Sequence, residues 1–401
     1  MANIFAHNKK TKIMTAALAD ACVYTKSSKS GLGQESFFGK KLGQSYTVYV
    51  PGVPKVVNGI EAEPGEIVEV ETTITLDSDN TSIELTQFNM QGDLEQFADE
   101  VAKPYAVGLA RTQEKKIIAD NIYKSSQAIV ANTAGYNVIT KAGAALRNLA
   151  VAGEVDMFLS PDVNGAIAES GLSKFNESAI AKRLYNDAYI GRYSGVEVVE
   201  SPDLPELTTP STIPSATITL GDAVVDADSN ALGFAVINKI TAAGGLIPGL
   251  AYKATGLKVV DCNGIQTGSD YAIVVTKVNA AGTEGEISPL RITLDGKAFN
   301  NANAWVPTGT TSLTLTSMLD ASTTYYVQQA RAKEALIFDS YKWENVPSSD
   351  EEIVNTVGNR SLKMTMFGKA GNLNKFVRLD APYAAGVWEP RLCTVVYVKK
   401  A

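Results

Sequence analysis

Apolar and polar residues alternate along two runs in the first quarter of the chain, SYTVYV from Ser45 and IVEVETTITL from Ile67. A period of two predicts strands. The intervening PGVPKVVNGIEAEPGE is rich in proline and glycine, so residues 41–86 are expected to form an extended hairpin with a long, turn-rich tip. Val68, Val70, Thr72 and Ile74 would share one face, and Glu69, Glu71 and Thr73 the other. Such a hairpin has too little core to stand alone and must lean on another element.

The period then lengthens. Within LEQFADEVAKPYAVGLARTQEKKIIADNIYKSSQAIV (Leu94–Val130), the residues Leu94, Phe97, Val101, Tyr105, Leu109, Ile117 and Ile118 approximate one helical stripe. A helix of about 35 residues would reach roughly 50 Å. Pro104 predicts a kink or the start of a second segment, since it lacks an N–H and clashes backward. Apolar spacing lapses between Arg111 and Lys116, so no sustained heptad supports a coiled coil.

Before the hairpin, residues 1–40 read as an arm. KIMTAALADACVY (Lys12–Tyr24) predicts one short helix with Ile13, Ala17 and Ala21 on one side, and SSKSGLGQ breaks it. Residues 87–137 carry the long helix. Residues 138–210 alternate helix and strand: VDMFL is a strand, Ser160 an N-cap and Pro161 a first helical position. GRYSGVEVVESPDLPEL is a glycine turn, a strand and a proline-broken exit. From 211 to 332 the pattern is all short alternating runs: YKATGLKVV, DYAIVVTKVN, EISPLRITL, TSLTLTSM and TTYYVQQA, with Asn263-Gly264 and Asp295-Gly296 as turns. This predicts an all-β block, barrel or sandwich, although YAIVVTKVNAAGTEGEIS also fits a fibronectin-type strand pair. Residues 333–401 return to mixed character and end on the strand RLCTVVYVKK. An all-β block interrupting an α+β chain, with neither flank complete alone, reads as an insertion.

Composition narrows the chemistry. The chain has 401 residues, 45% hydrophobic and 20% charged, with a formal net charge of −7, which gives no general affinity for a nucleic acid backbone. The single histidine, His7, lies in a polar N-terminal segment and supplies no triad or multi-histidine metal site. Cys22, Cys262 and Cys393 are far apart and read as reduced structural thiols. The string GQESFFGKK (Gly33–Lys41) fails the phosphate-loop spacing. DADSN (Asp226–Asn230) opens like a calcium loop, but Ala231 and Ile237 occupy the glycine and glutamate positions. The acidic pairs Asp99-Glu100 and Asp350-Glu351-Glu352 have no apolar pocket in sequence to split their pKa values. No apolar run reaches the ~18 residues of a membrane helix. No catalytic residue, cofactor or metal is expected, and what remains is architecture with parts that a monomer cannot satisfy, as in an assembly protein.

The order of these parts resembles the major capsid protein of tailed double-stranded DNA phages, the Hong Kong 97 fold, and more closely the P-twenty-two-type coat proteins with an inserted β domain. The resemblance rests on SYTVYVPGV with IVEVETTITL for the extended loop and DLEQFADEVAKPYAVGLARTQEKKIIADNIY for the spine helix. It continues through FLSPDVNGAIAES, GRYSGVEVVESPDLPEL, the barrel-like GLKVVDCNG, DYAIVVTKVN and EISPLRITL, and the closing LCTVVYV. It implies an α+β, Hong Kong 97-like fold with peripheral (87–137) and axial (138–210) domains, an inserted barrel-like domain (211–332) and a returning segment (333–401). It implies a non-enzymatic shell subunit forming hexamers and pentamers around packaged double-stranded DNA. A scaffolding protein, a portal and a decoration protein are the implied partners, with assembly in the host cytoplasm and a procapsid that expands. Val53, Lys55, Val57, Ile60, Glu63 and Glu66 at the hairpin tip would touch a neighbouring subunit, and the 1–40 arm would lie along another. A surface or tail protein whose β insert binds a ligand or glycan is the open alternative.

Overall fold

The computed structural model describes residues 2–30, 43–50, 70–85, 103–151, 153–172, 191–220, 234–293, 302–307, 310–340, 351–357, 360–368 and 375–400. They divide into two compact units that the chain enters alternately. The first comprises Met1–Val48, Thr73–Ile118 and Leu336–Gly386, and the second Tyr49–Thr72, Ala119–Ala335 and Val387–Ala401.

The first unit is a sheet carrying two helices. Strands β1 (Ser45–Val50) and β2 (Val70–Leu85) are neighbours, as the alternation predicts, and the order continues β1-β2-β19-β18-β17 with β19 (Lys375–Val387), β18 (Arg360–Gly368) and β17 (Glu351–Val357). Strand β16 (Leu336–Asp339) also pairs with β19. β2 runs antiparallel to β19 from Leu76↔Ala384 to Leu85↔Lys375. The period of two holds: Ile74 and Leu76 are buried, Thr73 and Thr75 exposed.

Helix α1 (Ala2–Ala21) is longer than the expected Lys12–Tyr24 and packs differently. Met14, Leu18 and Cys22 are buried at spacing four, while Ile13, Ala17 and Ala21 lie at the margin of the same cluster. The inward stripe is thus rotated by one residue from the expected one. Thr11 and Thr15 also lie inside. The Thr15 hydroxyl donates to the carbonyl of Thr11 at 2.8 Å, so its burial leaves no polar atom unpaired. Part of the segment read as an arm therefore packs within its own unit, through Thr11, Met14, Thr15, Leu18, Cys22, Tyr24 and Thr25. Eight apolar residues complete that core: Ala106, Leu109 and Ala110 of the helix α2 (Lys103–Asn121), and Leu362, Met364, Val377, Leu379 and Ala381 of β18 and β19.

Helix α2 (Lys103–Asn121) ends well before Val130. Residues Gln127–Ala131, expected as helix, form strand β3. The run QAIVA pairs in parallel with the last strand of the chain, β20 (Cys393–Lys399), from Gln127↔Thr394 to Ala131↔Val398. Pairing with β20 at one edge of the sheet outweighs the helical reading of a short apolar run.

In the second unit the sheet order is β3-β20-β15-β4-β6-β5, using β15 (Thr324–Ala332), β4 (Val155–Leu159), β6 (Val196–Glu200) and β5 (Arg192–Tyr193), with β7 (Glu206–Thr208) beside β15. TTYYVQQA, assigned to the β insert from sequence, is thus a strand of this sheet: β15 pairs with β20, β4 and β7. One sheet face holds Met157, Leu159, Ala330, Val396 and Val398, covered by α3 (Tyr136–Asn148) and α4 (Pro161–Leu172). Gly143 of α3 is required there, since a Cβ would stand 2.5 Å from Val196 Cγ2. Pro161 opens α4 after the buried strand VDMFL, as expected. Ser160 at the cap accepts the main-chain N–H of Asn164 on its carbonyl, and its hydroxyl accepts from Gln328.

The insert is a closed barrel. Strands β8 (Ala216–Thr219), β9 (Phe234–Ala242), β12 (Glu284–Thr293), β11 (Gln266–Val278), β10 (Ala251–Val260) and β14 (Ser312–Ser317) pair in that order, and β14 returns to β8. The short β13 (Ala304–Trp305) bridges β10 and β12. A barrel this narrow is filled by its own side chains, among them Ile218, Leu257, Ile273 and Leu290. Closure removes the free edges an inserted sheet would expose. The fibronectin-type sandwich is therefore not the form adopted. Tyr271–Val275 in β11 are buried without alternation, as in a strand covered on both faces. The Asn263-Gly264 turn joins β10 to β11 with Gly264 at φ 78°. Asp295-Gly296, Asp226–Asn230 and Gly33–Lys41 lie outside the described residues.

Candidate functional site

The hairpin-tip residues Val53, Lys55, Val57, Ile60, Glu63 and Glu66 lie outside the described residues, as do Leu94, Phe97 and Val101 of the helix stripe. The site that can be built is therefore the body of α2 and the groups it gathers.

Ala106, Leu109, Ala110, Gln113, Glu114, Ile117 and Ile118 are buried, at the three-and-four spacing of one helix face. Leu109, Ile117 and Ile118 stand where the sequence stripe put them. Tyr105 does not: it is 40% exposed, one position off the face. Pro104 is the second described residue of the helix. The lapse in apolar spacing from Arg111 to Lys116 is not a gap in the buried face. Two polar residues fill it, Gln113 at 1% exposure and Glu114 at 2%.

The Glu114 carboxylate takes hold of the chain where α1 ends. Oε2 accepts the main-chain N–H groups of Val23 (3.0 Å) and Tyr24 (3.1 Å); Oε1 accepts the N–H of Thr25 (2.9 Å) and its hydroxyl (2.9 Å). These donors open the 3-10 turn Tyr24–Lys26, where no helical partner exists for them. Arg360 of β18 balances the charge: its guanidinium lies 4.0 Å from Glu114 Oε1, donates to Gln113 Oε1 and Thr25 Oγ1, and stacks over the Phe338 ring at 4.1 Å. Gln113 passes the network on by donating to the carbonyl of Ala381 at 3.2 Å. On the outer side Lys116 pairs with Asp79 of β2. A single helix thereby ties α1, β2, β18 and β19 through polar bonds that hydrophobic periodicity cannot reveal. Sequence reading missed Gln113, Glu114, Thr25 and Arg360, and the lapse in the stripe was the one trace they left.

The strand β1 is tied similarly. The Tyr46 hydroxyl donates to Asp339 Oδ2 at 3.0 Å, Ser30 donates to Asp339 Oδ1, and Lys29 bridges to Ile337. Burial, then the Asp339 charge, push the Tyr46 hydroxyl far above its ordinary pKa, so it stays a neutral donor.

Burial pushes the thiols of Cys22 and Cys393 up to about 12 and raises that of Cys262, which keeps all three protonated and poor nucleophiles. Among the described residues no group of three His, Cys, Asp or Glu side chains could hold a metal ion, and no helix is long and apolar enough to cross a membrane.

No family model and no curated protein matches the sequence. Solved structures do resemble the chain over nine-tenths of its length, and phage capsids are among them. The capsid of Ralstonia phage GP4 is 6% identical with a TM-score of 0.47, covering 95% of this chain and 91% of that one. A structure from Mycobacterium phage Che8 is 12% identical with a TM-score of 0.43, covering 94% and 90%. The capsid of a native GTA particle is 8% identical with a TM-score of 0.41, covering 96% and 91%.

Proposed function

We propose that this chain is the structural subunit of an icosahedral phage shell with a Hong Kong 97-like fold, self-assembling into hexamers and pentamers that enclose packaged double-stranded DNA. The observation that supports this reading is where the capsid-like sequence segments fall. SYTVYV is β1, the spine segment contains α2, FLSPDVNGAIAES runs from β4 into α4, and GRYSGVEVVE is the β5–β6 pair. GLKVV, DYAIVV and EISPLRIT lie on β10, β11 and β12 of a closed barrel, and LCTVVYV falls on β20, between β3 and β15 of the core sheet. So far as the described residues reach, these segments lie on strands and helices, and that supports the reading.

In this reading α2 is the strut of a thin tile. Its network with Glu114 and Arg360 passes load from the helix into α1 and the sheet. The hairpin tip, with Lys55 and Glu63, reaches a neighbouring subunit. A scaffolding protein templates a procapsid that expands on DNA entry, a portal occupies one vertex, and a decoration protein can join the outer surface. A net charge of −7 suits a wall that confines DNA without gripping it. The subunit then belongs to the virion and assembles in the host cytoplasm.

Negative-stain electron microscopy of the chain, expressed alone and with the scaffolding protein of its own phage, tests this. Uniform closed particles or hexamer rings are expected. Monodisperse monomer under both conditions would overturn the reading.

A further inference from the structure

The barrel meets the core sheet of the second unit around one buried carboxylate. Glu389, the N-cap of the 3-10 turn Pro390–Leu392 just before β20, is 3% exposed; Arg291 of barrel strand β12 and Arg391 are 2% and 3% exposed. Arg291 Nη2 donates to Glu389 Oε2 at 2.6 Å. Arg391 approaches the same carboxylate through Nε at 3.1 Å and Nη2 at 3.2 Å, and its main-chain N–H donates to Oε1 at 3.1 Å. Arg391 then reaches into the barrel, donating from Nη1 to the carbonyls of Asp261 at 2.9 Å and Ala302 at 3.4 Å. Burial alone would raise the Glu389 carboxyl, but the two guanidiniums and the bonds from Arg391 outweigh it and hold the carboxyl down at about 2.

Neutral bonds surround this centre. Cys262 donates its N–H to the carbonyl of Leu149 at 3.0 Å, Ala272 to that of Ser126 at 3.2 Å, and the Tyr397 hydroxyl to the carbonyl of Gly249 at 2.7 Å. Gly249 adopts φ 90°, and a Cβ there would press on the Tyr123 ring at 2.8 Å.

We propose that Glu389 is an electrostatic lock that fixes the inserted barrel to the core sheet, so that the two turn as one rigid body. A surface tether between modules would use exposed pairs, which are weak and exchange with water. A fully desolvated carboxylate between two cations has no such freedom: separating barrel from sheet strands charges in a low dielectric. The bond crosses from β12 to the turn before β20, and thus joins the insert to a strand that lies between β3 and β15 of the sheet.

Hydrogen exchange on the full-length chain tests the lock. Arg291→Met removes the barrel's cation and leaves the Glu389–Arg391 pair intact. The interface amides of Cys262 and Ala272 are expected to exchange roughly tenfold faster or more, with the barrel's own Leu246 and Val275 amides unchanged. Unchanged interface amides in a folded variant overturn the proposal, as does an equal acceleration of all four. Should Arg291→Met fail to fold, the unaltered chain decides. Interface amides as slow as those of Val275 support one rigid body, and interface amides faster than both the barrel and β20 overturn it.

Discussion

Glu114 accepts four hydrogen bonds from three consecutive residues, where the usual end of a helix would rely on water or a short polar cap. Its burial at 2% means that truncation strands several partners at once. Glu114→Ala leaves the N–H groups of Val23, Tyr24 and Thr25 without an acceptor and the Arg360 guanidinium without its counter-charge. The expected cost is about 3 kcal/mol or more, read as a lower urea midpoint with an unchanged slope. Lys116→Ala removes a pair whose cation is about half exposed and should cost well under about 1 kcal/mol. Equal midpoints for the two variants would show that Glu114 carries no special load. Charged residues inside a helix stripe are illegible from sequence because the pattern that marks a buried face is apolar. Nothing in RTQEKKI distinguishes the inward glutamate from the outward lysines.

Elements were legible where their signal is local. β1 and β2 follow from alternation, and β4 with α4 from a strand followed by Ser160-Pro161. The barrel strands follow from short alternating runs with turns between them. The failures share one cause, a partner far off in sequence. QAIVA becomes strand β3 because β20 lies beside it, with Gln127 and Thr394 separated by 267 positions. TTYYVQQA has the same alternation as the barrel strands preceding it, and only its pairing with β20 and β4 assigns it to the core sheet. The stripe of α2 was legible in part, and it gives a paired test. Leu109 is 6% exposed within the core cluster, whereas Tyr105, four residues earlier, is 40% exposed. Leu109→Ala should cost roughly 2–4 kcal/mol through lost burial and an unfilled cavity, and Tyr105→Ala about 0.5 kcal/mol or less. Thermal or urea unfolding of the two purified variants measures the difference. A larger loss at Tyr105 would place the helix face wrongly.

At the scale of the molecule, the barrel enters the chain at the tip of a β-hairpin. β7 and β15 are antiparallel, with Thr208 opposite Thr324. The ladder continues outward through Thr209 N–H to Thr323 O at 2.9 Å and Ser322 N–H to Pro210 O at 3.0 Å. Residues 211–321 therefore stand where a two-residue turn would suffice, and an Asn-Gly turn between Pro210 and Ser322 could close the hairpin without shifting its register. Geometry alone makes the insert dispensable, whereas energetics make it part of the fold. Its removal takes Arg291 from Glu389, the Asp261 carbonyl from Arg391 and the Gly249 carbonyl from Tyr397, and opens that side of β20 to water. The shortened chain should keep its strand circular dichroism, yet melt roughly 5 °C or more below the full-length protein and bind an apolar dye that the full-length protein excludes. An unchanged melting temperature would make the barrel a passenger on the hairpin. A loss confined to the barrel's own transition would show that the sheet never depended on the face it covers.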